Sequence, residues 1–187
     1  MNSVFKNFSV LESPSLELID CLLNLLHEVR LPRKKHLVTP DHINKNIYFV
    51  ESGLLMTYHV QRSKTFSSQF IKEGGLCFSI EGSNSRPPYP EYIIAMEDSL
   101  LYYISNEDLQ FVQQQFSEFN VVLLSLYYQS LLQSIELSNI LRMMNAAGRY
   151  KWLIQSHPEI VRRIPARHLA SFIGITEVML SRINPKL

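Results

Sequence analysis

Cysteine is scarce in this chain. Only Cys21 and Cys77 occur among 187 residues, with no Cys-x-x-Cys and no Cys/His ligand spacing, which excludes zinc and iron–sulfur sites on spacing and leaves two buried thiols. The six histidines (His27, His36, His42, His59, His157 and His168) form no His-x-His or His-x-x-x-His pair, so metal or haem sensing has no support. A jelly-roll metalloenzyme needs His and acidic ligands clustered on facing strands, and only His59 lies in a strand-like run. No catalytic residue, metal ligand or cofactor is therefore assigned. Also lacking are an apolar stretch long enough to span a bilayer and a basic N-terminus followed by an apolar run and cleavage site. The expected location is the cytoplasm, with no membrane partner.

What is present is a globular balance, 46% hydrophobic and 19% charged, in a length that holds one ordinary domain and a small one. The net charge of +1 averages two unlike parts. From Asn145 onward seven basic residues (Arg149, Lys151, Arg162, Arg163, Arg167, Arg182 and Lys186) face two acids (Glu159 and Glu177), a net of +5; the preceding residues carry −4. Such a basic region suits a surface that faces phosphates, because each neutralised phosphate releases counterions. A solvated helical face has the same composition, so charge alone does not decide.

Periodicity divides the rest. Pro14-Ser15 opens a predicted helix in which Leu16, Ile19, Leu22, Leu23 and Leu26 recur at helical spacing up to about His27. After Pro32 come short runs rich in β-branched and aromatic residues: Leu37-Val38, Ile47 to Val50, Leu54 to Val60, Thr65 to Ile71, Tyr92 to Met96 and Leu100 to Ile104. Glu51-Ser52-Gly53 and Glu73-Gly74-Gly75 read as turns between them. Many closely spaced short strands predict a barrel or jelly roll. Ser105 to Asp108 then offers caps and acids for a helix containing Leu109 and Val112.

From Phe116 to Ala147 there is neither proline nor glycine, enough for a helix about 48 Å long. Phe119, Leu123, Leu126, Ser130, Gln133, Leu137, Ile140 and Met144 follow coiled-coil spacing. Val121, Leu124, Tyr128, Leu131 and Ile135 form a second apolar stripe. Two apolar faces predict two partners, the β-domain and a second subunit.

The last two dozen residues predict a helix-turn-helix. Leu169, Ala170, Phe172 and Ile173 share one face of a short helix, Gly174 supplies the tight backbone position that ends it, and Ile175 plugs the angle. Thr176 caps a second helix and Glu177 adds favourable charge at its start. Met179, Leu180 and Ile183 are expected to turn inward, leaving Glu177, Val178, Ser181 and Arg182 outside. An ordinary helical hairpin packed in a core is the alternative reading of the same pattern.

The order of β-region, long helix, Ala147-Gly148-Arg149-Tyr150-Lys151-Trp152-Leu153, His157-Pro158-Glu159, Arg163-Ile164-Pro165 and the Leu169 to Ile183 segment resembles the Crp/Fnr superfamily of bacterial transcription regulators. The resemblance covers nearly the whole chain and is most specific from Gly148 to Ile183. In the β-region it rests on order and on the Tyr48 to Leu54 hairpin. It implies an α+β chain: a cyclic-nucleotide-binding-like jelly-roll sensor domain at 1–115, a dimerisation helix at 116–145, and an all-α helix-turn-helix domain at 146–187 without a wing. By matching position, Thr176, Glu177, Val178, Ser181 and Arg182 would touch bases, and Arg167, His168 and Lys186 would touch phosphates. Val178 stands where relatives commonly carry Glu, and Pro185 is expected to end the helix early. The dimer seam would use Leu123, Leu126, Ser130, Leu137 and Ile140.

An effector pocket, by the same resemblance, would draw on Ser79, Glu81, Arg86, Tyr89 and Ser134. Cyclic-nucleotide binders of this fold pair the phosphate with an Arg, and here that position is Tyr89. No Gly-Glu pair occurs nearby, and Arg86 would serve only if the Pro87-Pro88 loop folded back. A buried phosphate would lack its counter-charge, so tight binding of cyclic AMP is not expected. The partners implied are double-stranded DNA, a second copy of the chain, RNA polymerase and an effector of unknown identity. A jelly-roll ligand-binding or protein-interaction module with weak or lost DNA binding remains the alternative.

Overall fold

In the computed structural model, residues 3, 11, 14–41, 45–79 and 89–184 are described. Glu81, Arg86, Pro185 and Lys186 fall outside that set. Within the stretch from residue 14 the first element is helix α1 (Leu16–Leu25), whose Ser15 cap accepts from the Leu18 amide. Eight strands follow: β1 (His27–Leu31), β2 (His36–Val38), β3 (Ile47–Ser52), β4 (Leu55–Gln61), β5 (Lys64–Ile71), β6 (Leu76–Cys77), β7 (Glu91–Ala95) and β8 (Ser99–Ile104). They form two four-stranded sheets, ordered β1-β8-β3-β6 and β2-β7-β4-β5, with every pairing antiparallel. The predicted double-sheet architecture is thus present.

The first sheet is buried on both faces, which explains the unbroken apolar run at Ile47 to Val50. Tyr48, Val50, Cys77 and Leu101 point into the layer between the sheets, whereas Ile47, Phe49, Leu76 and Ile104 point outward onto helices. Those helices are α1, α2 (Asn106–Gln115) and the first half of α3 (Ser117–Met143). Gly53 makes the tight turn between β3 and β4 with φ +103°, where an added Cβ would lie 2.6 Å from the Ser99 Cα.

Strand β1 departs from expectation. The helical spacing through Leu26 suggested helix up to His27, but Leu26 is already extended and His27 to Leu31 pairs with β8. With only Val29 and Leu31 apolar, this charged edge strand carries little period-2 signal.

The long helix is shorter than the 32-residue window free of glycine and proline. It spans 27 residues, because Met144 turns extended and the Asn145 side chain caps the next helix by accepting from Gly148. Four short helices complete the chain: α4 (Ala146–Ser156), α5 (Pro158–Arg163), α6 (Ala166–Phe172) and α7 (Glu177–Ile183). Their core holds Tyr150, Leu153, Ile160, Ile164, Leu169, Ala170, Ile173 and Leu180, together with Leu54 from the β-domain. No helix among the described residues is long and apolar enough to cross a membrane.

Candidate nucleic-acid interface

Helices α6 and α7 form the expected helix-turn-helix, and local backbone chemistry accounts for its shape. Gly174 sits at φ +66°, and the Ile175 amide reaches back to the Ala170 carbonyl at 3.0 Å, closing the end of α6. Thr176 is extended and its Oγ1 accepts from the Met179 amide at 3.2 Å, starting α7. Leu180 is buried and Ile183 half-buried against the helical core, while Asn184 donates to the Tyr150 hydroxyl at 2.7 Å and fixes the far end.

The outer side of α7 carries Glu177, Val178, Ser181 and Arg182, all exposed. Thr176 is exposed as well. Met179 corrects the sequence expectation: it was placed inward, but it is 42% exposed beside Val178 at 61%. The core seat goes to Leu180 alone in that turn, because α7 meets α4 and α6 on a narrow face. Glu177 and Arg182 leave the helix with an acid in its first turn and a base in its last.

The basic residues divide into two groups. Lys151, Arg162, Arg167 and Arg182 are exposed. Arg149 and Arg163 are engaged within the fold. Arg149 donates to the carbonyls of Leu141 at 2.5 Å, Met144 at 2.9 Å, Ile173 at 3.2 Å and Gly174 at 3.3 Å, joining the end of α3 to the helix-turn-helix corner. Arg163 makes a forked pair with Glu73 at 2.7 and 3.0 Å and also binds Glu97. The net charge of this region therefore overstates the charge left free on its surface. Arg167 donates to His168 Nε2 at 3.2 Å. Burial, and then the Arg167 charge, push the His168 pKa below the ordinary histidine value.

The helical unit is docked on the β-domain. Phe172 packs against Phe70 with ring centroids 4.9 Å apart, and Ser171 Oγ donates to the Thr65 carbonyl while accepting from the Ser67 amide, both at 3.0 Å. Lys72 pairs with Glu159 at 2.5 Å. The carboxyls of Glu73 and Glu159 are held below the usual range by their Arg163 and Lys72 partners.

Of the five residues expected at the dimer seam, three are buried within their own chain and two are half-buried. Leu123 and Leu126 are buried under the first sheet, Ile140 is buried, and Ser130 and Leu137 line a cavity. The more exposed stripe is the other one, with Val121 48%, Leu124 69%, Tyr128 59%, Leu131 55% and Ile135 48% exposed, Leu131 also lining that cavity. Phe119, Val122, Leu123 and Leu126, spaced i, i+3, i+4, i+7, provide the face that the sheet covers.

The cavity, of about 410 Å³, lies between β4, β5, α3 and the helical unit. Ser134 lines it, with its hydroxyl donating to the Ser130 carbonyl at 3.0 Å. Ser79 is buried behind the wall and donates to Glu91, whose side chain lines the space. Tyr89 is 44% exposed and is not part of the lining. Glu81 and Arg86 lie outside the described residues. Sequence reasoning missed Trp152, whose Nε1 donates to Glu136 at 2.8 Å across this wall; its being the single tryptophan was the available signal.

This arrangement defines a class. The chain has the fold of bacterial Crp/Fnr-family regulators. It superimposes on a CooA variant from Carboxydothermus hydrogenoformans with a TM-score of 0.71 at 19% identity, over 92% of this chain and 83% of that one. FixK2 from Bradyrhizobium japonicum gives 0.70 at 16% identity, over 87% and 84%. A putative transcriptional regulator of the Crp/Fnr family from Eubacterium rectale gives 0.70 at 14% identity, over 95% and 85%. No protein-family profile and no curated protein sequence matches the chain.

Proposed function

We propose that this protein is a sequence-specific DNA-binding transcription regulator of the Crp/Fnr type, acting as a dimer on a two-fold symmetric site. The observation that carries this reading is helix α7. Its inner residue Leu180 anchors it, its start is fixed by Thr176, and its outer side presents Glu177, Val178, Ser181 and Arg182 to solvent. A side chain such as Arg182 can make two hydrogen bonds to a guanine edge, while Arg167 on α6 meets the backbone. The structural likenesses, which span most of the chain, support the same reading.

The second copy would sit on the exposed α3 stripe of Val121, Leu124, Tyr128, Leu131 and Ile135. Pairing along that face sets two α7 helices against successive major grooves about 34 Å apart. Control by cyclic AMP is not favoured. Among the described residues lining the cavity there is no Lys or Arg, and Glu91 and Glu136 are both there. A cyclic phosphate entering would find no Lys or Arg counter-ion among those described residues. The cavity leaves room for another small effector beside Ser134. Selection of bound duplexes from random DNA tests the reading: enrichment of an inverted repeat supports it, and recovery of unenriched sequence contradicts it.

A further inference from the structure

The exposed face of α7 pairs its charged ends with two large apolar side chains. Val178 and Met179 are adjacent, 61% and 42% exposed, in a seven-residue helix whose other large apolar residues, Leu180 and Ile183, pack inward. Nothing in the fold requires them there. The Thr176 cap fixes the register, since its hydroxyl holds the Met179 amide itself, so both side chains occupy set positions in the first turn. Val178 then shares a face with Ser181 and Arg182, at spacings of three and four, and Met179 lies beside it with Arg182 three residues on. On the same short helix Arg182 is exposed toward its end and Glu177 at its start.

We infer that Val178 and Met179 are specificity-determining residues that read the C5 methyl groups of thymines in the major groove. This rests on the DNA-binding reading above. Base edges in that groove offer donors and acceptors almost everywhere, and the thymine methyl is their one apolar group. An apolar side chain can discriminate there only by covering that methyl. Burying the pair against donors or acceptors instead would strip water from those groups without replacing it. The preferred half-site therefore contains thymines next to the base pair that Arg182 reads.

The test uses the full chain and the duplex recovered from random DNA. Each thymine of the half-site is replaced in turn by uracil, which deletes the methyl and keeps every hydrogen-bonding group. Loss of one buried methyl predicts about a fourfold drop in affinity at each contacted thymine. Val178→Ala and Met179→Ala, both at exposed positions, should each make a different thymine insensitive to the exchange while Arg182 still discriminates its guanine. A selected site whose uracil versions bind equally well overturns the inference and leaves the regulator reading standing. Equal uracil penalties in the wild type and both variants overturn it as well. Failure to select any sequence overturns the regulator reading itself.

Discussion

The Arg149 guanidinium donates to the carbonyl of Gly174 at 3.3 Å, so a residue in the first turn of α4 holds the corner of the helix-turn-helix. The same group collects the carbonyls of Ile173, Leu141 and Met144. One side chain thereby couples the end of α3 to the orientation of α7. A guanidinium serves because it has five donors in a rigid fork, which an ammonium lacks.

Arg149→Met should cost about 2 to 3 kcal/mol, because partly buried carbonyls lose a charged donor. Urea unfolding of the full chain measures it. Arg149→Lys is expected to recover only a fraction of the loss, and full recovery would show that charge alone suffices.

Gly174→Ala should also destabilise, by about 1 kcal/mol or more. Its φ of +66° disfavours a side chain, and a Cβ would come within 3.2 Å of both Arg149 Nη1 and Leu141 Cδ2. A lowered melting temperature with weaker DNA binding is the expected pair of results.

Leu123 and Leu124 differ by one position and should differ in kind. Leu123→Ala removes a side chain that is 2% exposed and should cost about 2 to 5 kcal/mol of stability. Leu124→Glu places charge on a 69% exposed position and should leave the fold intact while yielding monomers by sedimentation.

Docking of the helical unit on the β-domain should weaken in acid. The carboxyls of Glu73 and Glu159 have folded-state pKa values below their ordinary value of about 4.3. Each therefore contributes stability that is fully present above that value and is lost as pH falls through the lower, folded one. Amide exchange of α6 and β5 should rise in that window, and Glu73→Gln should flatten the rise.

What could be read in the chain beforehand tracks how local its causes are. The helix-turn-helix was legible because Gly174, Thr176 and the Leu169 to Ile173 face act within a few residues. Strand β3 was legible as a short run of β-branched and aromatic residues. The orientation of α3 was not, since both its stripes are apolar and periodicity does not say which one the first sheet covers. Arg163 looked like surface charge because its partners Glu73 and Glu97 lie 90 and 66 residues away. Met179 followed the heptad-like inward pattern, but one anchor, Leu180, fills the narrow contact in that turn.

The central claim is that α7 and its exposed arginines bind duplex DNA. Titration of the full chain with a duplex carrying the selected inverted repeat, at about 50 and 200 mM salt, tests it most directly. The expected result is tight binding at low salt that falls by orders of magnitude at the higher concentration, with Arg182→Ala abolishing the preference for the selected site over scrambled DNA. Weak binding that is insensitive to salt, or an unchanged preference in Arg182→Ala, would contradict the account.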